Sequence, residues 1–219
     1  MAQTTEFVAN PWTAVDLANR FGPIPLNRVR FDPPPGKATE RDLLAICERE
    51  ERLYELVDGV LLEKVMGWNE SCLAVVLIEF LQRHVRTNGL GVVAGPDGLI
   101  RLVPGLIRIP DISFISWQRL PGGERPRVRV ASWAPDLAVE FLSEGSTAEE
   151  MDRKLHDYFE AGVRLVWYID PAEESVRVYH SPQQCTRLGR DAMLDGGDVL
   201  PGFRLSLEQL FTLPTRPSA

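Results

Sequence analysis

The sequence predicts a mixed α/β protein in which a central mixed β-sheet is flanked by helices. The stretch from Pro135 to Asp170 carries most of that prediction, because it reads strand, helix, strand. PDLAVEFLS and VRLVWYID are apolar on both faces, as strands covered on both sides must be, and a strand–helix–strand crossover joins parallel neighbours. Two further signals agree. Alternating apolar runs Tyr54–Val57 and Val60–Val65 flank Asp58-Gly59, a strong hairpin signal. Between Asn69 and Thr87, the residues Leu73, Val76, Leu77, Phe80 and Leu81 recur at helical spacing.

From the start of the chain, residues 1–38 read as a peripheral, proline-rich arm. A short amphipathic piece around Trp12–Phe21 precedes FGPIPLNRVRFDPPPGK, which holds too much proline for regular structure. The expectation is an extended arm packed on the body or on a partner subunit. Residues 39–211 form the main domain, and 212–219 a tail. Thr39, with Asp42 three residues on, caps a helix that runs to about Glu50. After the hairpin and the long helix, which Asn88-Gly89 ends, short strands follow at Gly91–Ala94, Gly98–Val103 and Asp111–Ser116. RLPGGERPRVR, with Arg119, Arg125, Arg127 and Arg129, reads either as a solvated loop or as a mobile arm near an anionic substrate. In the crossover helix, Thr147 with Glu150 makes a capping box and Gly162 stops the helix. The tail adds an edge hairpin, Ser175–His180 with Cys185–Leu188, and a last helix near Ser206–Phe211.

Composition sets limits. The chain has 219 residues, 44% of them hydrophobic and 25% charged, enough for one domain with a real core. No apolar run approaches the roughly 20 residues that span a bilayer. The first residues do not read as a signal peptide, so a cytoplasmic location is expected. Cys47, Cys72 and Cys185 are too scattered for a disulfide framework or a zinc cluster, and His84, His156 and His180 are equally isolated. A net charge of −7 weighs against broad electrostatic binding to nucleic acid. Trp68, Trp117, Trp133 and Trp167 share no periodicity and read as packing residues.

Charges at core positions are more informative. Glu140 lies inside LAVEFL on the strand expected to be central, where a carboxylate is costly unless paired or metal-bound. Asp111 opens a strand directly after IRIP. On the crossover helix, Met151, Lys154, Leu155, Tyr158 and Phe159 fall on one face by the i, i+3, i+4, i+7, i+8 rule, so Lys154 faces the sheet with them. That helix packs back across the Glu140 strand, which aims the amine at the carboxylate. Two carboxylates and one lysine meet the needs of metal-dependent phosphodiester hydrolysis: ligands for a divalent ion, and a positive charge or base beside the attacking water. Glu55, in YELVDG, is a third candidate carboxylate. Each of these groups could equally serve a buried structural pair. Asp58, Asp136 and Asp170 need only turn or capping roles.

In order, YELVDG, RIPDISFIS, PDLAVEFLS, MDRKLHDYFEAGV and VWYIDP resemble the Uma-two family, assigned to the PD-(D/E)XK nuclease superfamily. The match runs from about residue 39 to about 211. The resemblance implies a restriction-endonuclease-like core and an endonuclease dependent on Mg²⁺, with Mn²⁺ as a substitute. It implies metal-binding roles for Asp111 and Glu140, a catalytic role for Lys154 and an accessory one for Glu55. In the wider superfamily a lysine stands two residues after the acid, where this chain has Leu142. Lys154 stands where the family places a lysine moved to the next helix. Glu144 departs from the expected small residue or proline. The implied partners are nucleic acid, DNA first, and a second copy of the chain as a homodimer. The alternative is a non-catalytic nuclease fold kept for nucleic-acid or protein binding. A carboxylate-pair glycosidase is disfavoured, because it leaves the lysine without a role.

Overall fold

The structure, a computed structural model, describes residues 12–143 and 145–212. Helix α1 spans Ala14–Phe21 and a 3₁₀ turn spans Leu26–Arg28. Strand β1 (Val29–Arg30), helix α2 (Glu40–Glu50), strands β2 (Tyr54–Val57) and β3 (Val60–Glu63), and helix α3 (Trp68–Thr87) follow. Strands β4 (Gly91–Ala94), β5 (Leu99–Val103), β6 (Leu106–Arg108), β7 (Ile112–Ser116), β8 (Val130–Ala131) and β9 (Leu137–Phe141) lead to helix α4 (Ala148–Glu160). The chain continues through β10 (Leu165–Asp170), β11 (Ser175–Ser181), β12 (Gln184–Leu188), β13 (Met193–Asp195) and β14 (Arg204–Ser206), and then α5 (Leu207–Phe211).

The fold is mixed α/β, but the strands divide into two six-stranded sheets and a short two-stranded ladder rather than one sheet. The first sheet has the order β1-β3-β2-β6-β5-β8 and the second β12-β11-β10-β9-β7-β4. The chain crosses between the two sheets several times, and the crossing that matters for the site is at Ile109-Pro110. Pro110 has no N–H for a ladder, so the chain leaves the first sheet after Arg108 and enters the second at Ile112. Strands β9 and β10 pair in parallel, with Glu140 opposite Tyr168. Helix α4 makes the crossover between them and buries Met151, Lys154, Leu155 and Tyr158. On the opposite face, α3 and α5 pack over Val139, Phe141, Trp167 and Ile169.

Residues 12–38 are more ordered than the proline content implies. The Thr13–Asp16 capping box starts α1. Leu17 and Phe21 then pack with Ile24, Val29, Val57, Val60 and Leu62 in one cluster. Strand β1 adds an edge to the first sheet, with Val29 opposite Leu62. The Thr39–Asp42 capping box of α2 forms in full. At α4 only half of the expected box forms: the Thr147 hydroxyl accepts from the Glu150 N–H at 3.1 Å. The Glu150 carboxylate turns to Arg28 instead, in a two-pronged pair at 2.8 and 2.9 Å. Residues 1–11, Glu144 and 213–219, and so nearly all of the expected tail, lie outside the described residues. Among the described residues, no helix is long and apolar enough to cross a membrane.

Candidate active site

The junction of the two sheets brings ionisable residues together. Along β2 and β3 the side chains alternate, so Glu55, Leu62 and the next residue in phase, Lys64, share a face. On β6, Leu106 and Ile107 pair with Val57 and Leu56, which sets Arg108 beside Glu55. The second sheet supplies Asp111 just before β7, and Glu140 on the α4 side of β9. Helix α4 adds Lys154, Asp157 and Tyr158.

All four residues singled out from the sequence, Glu55, Asp111, Glu140 and Lys154, are buried and lie in one connected network. The Lys154 ammonium lies 3.2 Å from Glu55 Oε1 and 3.3 Å from Glu140 Oε2. Tyr158 donates its hydroxyl to Glu140 Oε1. The Phe141 N–H donates to Asp111 Oδ2 at 2.7 Å, tying the second sheet's neighbouring strands together at their ends. Glu55 accepts from the Ile109 N–H at 3.1 Å and pairs with Arg108 at 2.7 Å. Arg108 also pairs with Asp157.

Lys64, Arg108, Asp157 and Tyr158 were not singled out from the sequence. Lys64 is the most consequential. Its ammonium lies 2.7 Å from Asp111 Oδ1 and 3.3 Å from Glu140 Oε2, and it donates to the Ile109 carbonyl at 2.6 Å. Period-two alternation through Val60 and Leu62 could have found it, but the strand's own ladder stops at Glu63. Arg108 sits on a three-residue strand too short to read from sequence.

These contacts shift the protonation equilibria. Burial pushes the Glu55 carboxyl up, but the cations Lys154, Arg108 and Lys64 outweigh it and hold Glu55 well below the usual carboxylate range. Burial and the neighbouring Glu140 charge raise Asp111, against the pull of Lys64. Burial, with the Glu140 and Glu55 charges, raises the Tyr158 hydroxyl, so it stays protonated and donates.

The network forms one wall of a cavity of about 480 Å³, lined by Asp111, Glu140, Lys64 and Lys154 together with Asn27 and Arg28 from the N-terminal segment. Asp111 and Glu140 are the pair that could hold a metal ion. Among the described residues, no group of three or more His, Cys, Asp or Glu side chains is placed to hold one. Two carboxylates, a backbone carbonyl and room for water or substrate oxygens match Mg²⁺, which takes few protein ligands. Charge agrees with that fit. Four carboxylates (Glu55, Asp111, Glu140, Asp157) face three cations (Lys64, Arg108, Lys154), which leaves one negative charge unbalanced.

Other candidates fall away from this wall. Asp136 is a staple, receiving the Ser116 N–H at 2.8 Å and Arg119 at 3.0 Å. Arg129 bonds to the Leu44 carbonyl at 2.8 Å, while Arg125 and Arg127 are exposed, and none of this loop lines the cavity. Trp167 is fully buried, as expected of a packing residue, but Trp68 is 87% exposed.

A crystal structure described as "a putative nuclease belonging to DUF820", from Anabaena variabilis ATCC 29413, has a similar fold. The TM-score is 0.64 at 22% identity, over 74% of this chain and 90% of that one. The model of the Uma2 family, described as "Putative restriction endonuclease", matches residues 41–208. The chain belongs to the Uma2 family. No curated protein matches it.

Proposed function

We propose that this protein is a metal-dependent endonuclease that hydrolyses phosphodiester bonds in nucleic acid, with DNA the first substrate to test. One observation carries the reading: Asp111 at the entry to β7, Glu140 on β9 and Lys154 on α4 converge on one wall of an open cavity. Family membership supports the nuclease class.

Asp111 and Glu140 hold Mg²⁺ or Mn²⁺ in this reading. A bound ion supplies positive charge for the phosphate oxygens and acidifies a coordinated water. The chain's own groups do the rest. Lys154, set against two carboxylates, supplies positive charge beside the attacking water. Glu55 holds that ammonium in place through its 3.2 Å contact, and Arg108 holds Glu55. Tyr158 fixes the second oxygen of Glu140. Two copies of the chain, related by a two-fold axis, would cut two strands; sedimentation of the protein tests that homodimer.

Cleavage of plasmid and of short single- and double-stranded DNA and RNA tests the reading. Mg²⁺- or Mn²⁺-dependent cleavage is expected, lost on chelation, and lowered about 100-fold or more in Asp111→Asn, Glu140→Gln and Lys154→Ala. Metal-dependent nicking that survives Lys154→Ala removes the lysine from its role. A second reading, a nuclease fold that binds without cutting, is favoured by the net charge of −7. Wild-type protein inert on every substrate would favour that reading.

A further inference from the structure

Lys64 gathers three oxygens, one each from Asp111, Glu140 and the Ile109 carbonyl, at 2.7, 3.3 and 2.6 Å. Two carboxylate oxygens and a carbonyl oxygen are the hard donors a divalent ion also seeks. The lysine side chain is only 8% exposed and enters from the first sheet, whereas both carboxylates belong to the second. Its role therefore differs from that of Lys154, which enters from α4 and bridges Glu140 to Glu55.

We infer that the Lys64 ammonium is a tethered counter-ion that occupies the cation position between Asp111 and Glu140 and must be displaced before a divalent metal is held there. This inference rests on the reading of Asp111 and Glu140 as metal ligands. In the metal-free protein Lys64 keeps two buried carboxylates paired and close together, which positions them for a later cation. Two buried carboxylates so close repel one another, and the ammonium seated between them offsets that repulsion. The cost falls on metal affinity, because only the fraction of molecules with Lys64 swung aside is competent to bind. The cavity gives the four-carbon stem space to move, and Glu70 on its wall offers the displaced ammonium another carboxylate.

Mn²⁺ titration by calorimetry, with thermal melting at each Mn²⁺ concentration, tests this on the full chain. Lys64→Met is expected to bind Mn²⁺ about tenfold or more tightly than wild type, because the competing conformer is gone. Its melting temperature should be lower than wild type without metal and should rise more steeply as Mn²⁺ is added. Lys64→Gln serves if the methionine variant does not fold. Lys64→Arg keeps a cation in place and should show no gain. Lys154→Met also removes a positive charge beside Glu140, so it reports charge loss without loss of the occupant; its gain should be much smaller. Lys64→Met binding no tighter than wild type, or Lys154→Met gaining as much, overturns the inference and leaves the metal reading standing. Failure of every form, wild type included, to bind Mn²⁺ overturns both.

Discussion

Arg108 is the residue on which the site's order depends most. It is 1% exposed and joins buried Glu55 to part-buried Asp157, so its removal takes a cation from two carboxylates at once. Arg108→Ala should destabilise the protein by about 3–5 kcal/mol, the cost of breaking a buried pair from one side, measured by urea denaturation. Glu55 contributes to the acid limb of the stability profile. Its folded pKa lies below the unfolded value near 4.5, so its contribution is full above about pH 4.5 and drains as pH falls through the folded value. Asp111 has the opposite sign: raised in the fold, it takes up a proton more readily folded than unfolded and offsets part of that loss on acidification. Melting temperature against pH should thus fall less steeply on the acid side for Glu55→Gln, and more steeply for Asp111→Asn. At this scale the sequence was half legible. Glu140 and Lys154 stood out because charge interrupts an apolar strand and an apolar helical face. Lys64 and Arg108 did not: Lys64 is in phase with Val60 and Leu62 but lies just past the paired strand, and Arg108 ends a strand of three residues, too short to show a face.

Helix α4 is the best-read element and also the one with an instructive departure. Its phase put Lys154 on the buried face, and the structure has it there at 4% exposure. The Thr147–Glu150 box, however, yields to tertiary structure, since Arg28 claims the glutamate. Thr147→Ala should still cost about 1 kcal/mol, the usual worth of an N-cap, read as a shift in urea midpoint. Residues 1–38 read as an arm packed on the body or on a partner, because proline and glycine mask the periodicity of a short strand. In the structure α1 packs on the first sheet and β1 adds an edge to it. Leu17 is fully buried there, so Leu17→Ala should cost about 2–5 kcal/mol. An unchanged denaturation midpoint for that variant would mean that the segment does not fold with the body.

For the molecule as a whole, the mixed α/β class and the parallel β9–β10 pair followed from pattern. The split into two sheets did not, because short strands of the two sheets alternate along the chain and their pattern does not show which of them pair. That split is what makes the site. The first sheet brings Glu55, Lys64 and Arg108, the second brings Asp111 and Glu140, and α4 closes over both with Lys154. Neither sheet alone holds both carboxylates and both lysines, so the network exists only where the whole domain is assembled. The claim that this junction is a metal centre is tested most directly by Mn²⁺-soaked crystals measured at the manganese absorption edge. An anomalous peak is expected between Asp111 and Glu140, with Lys64 moved off both carboxylates, and no such peak in Glu140→Gln. A peak at other residues, or none at this junction with Lys64 still seated on Asp111, would contradict that claim.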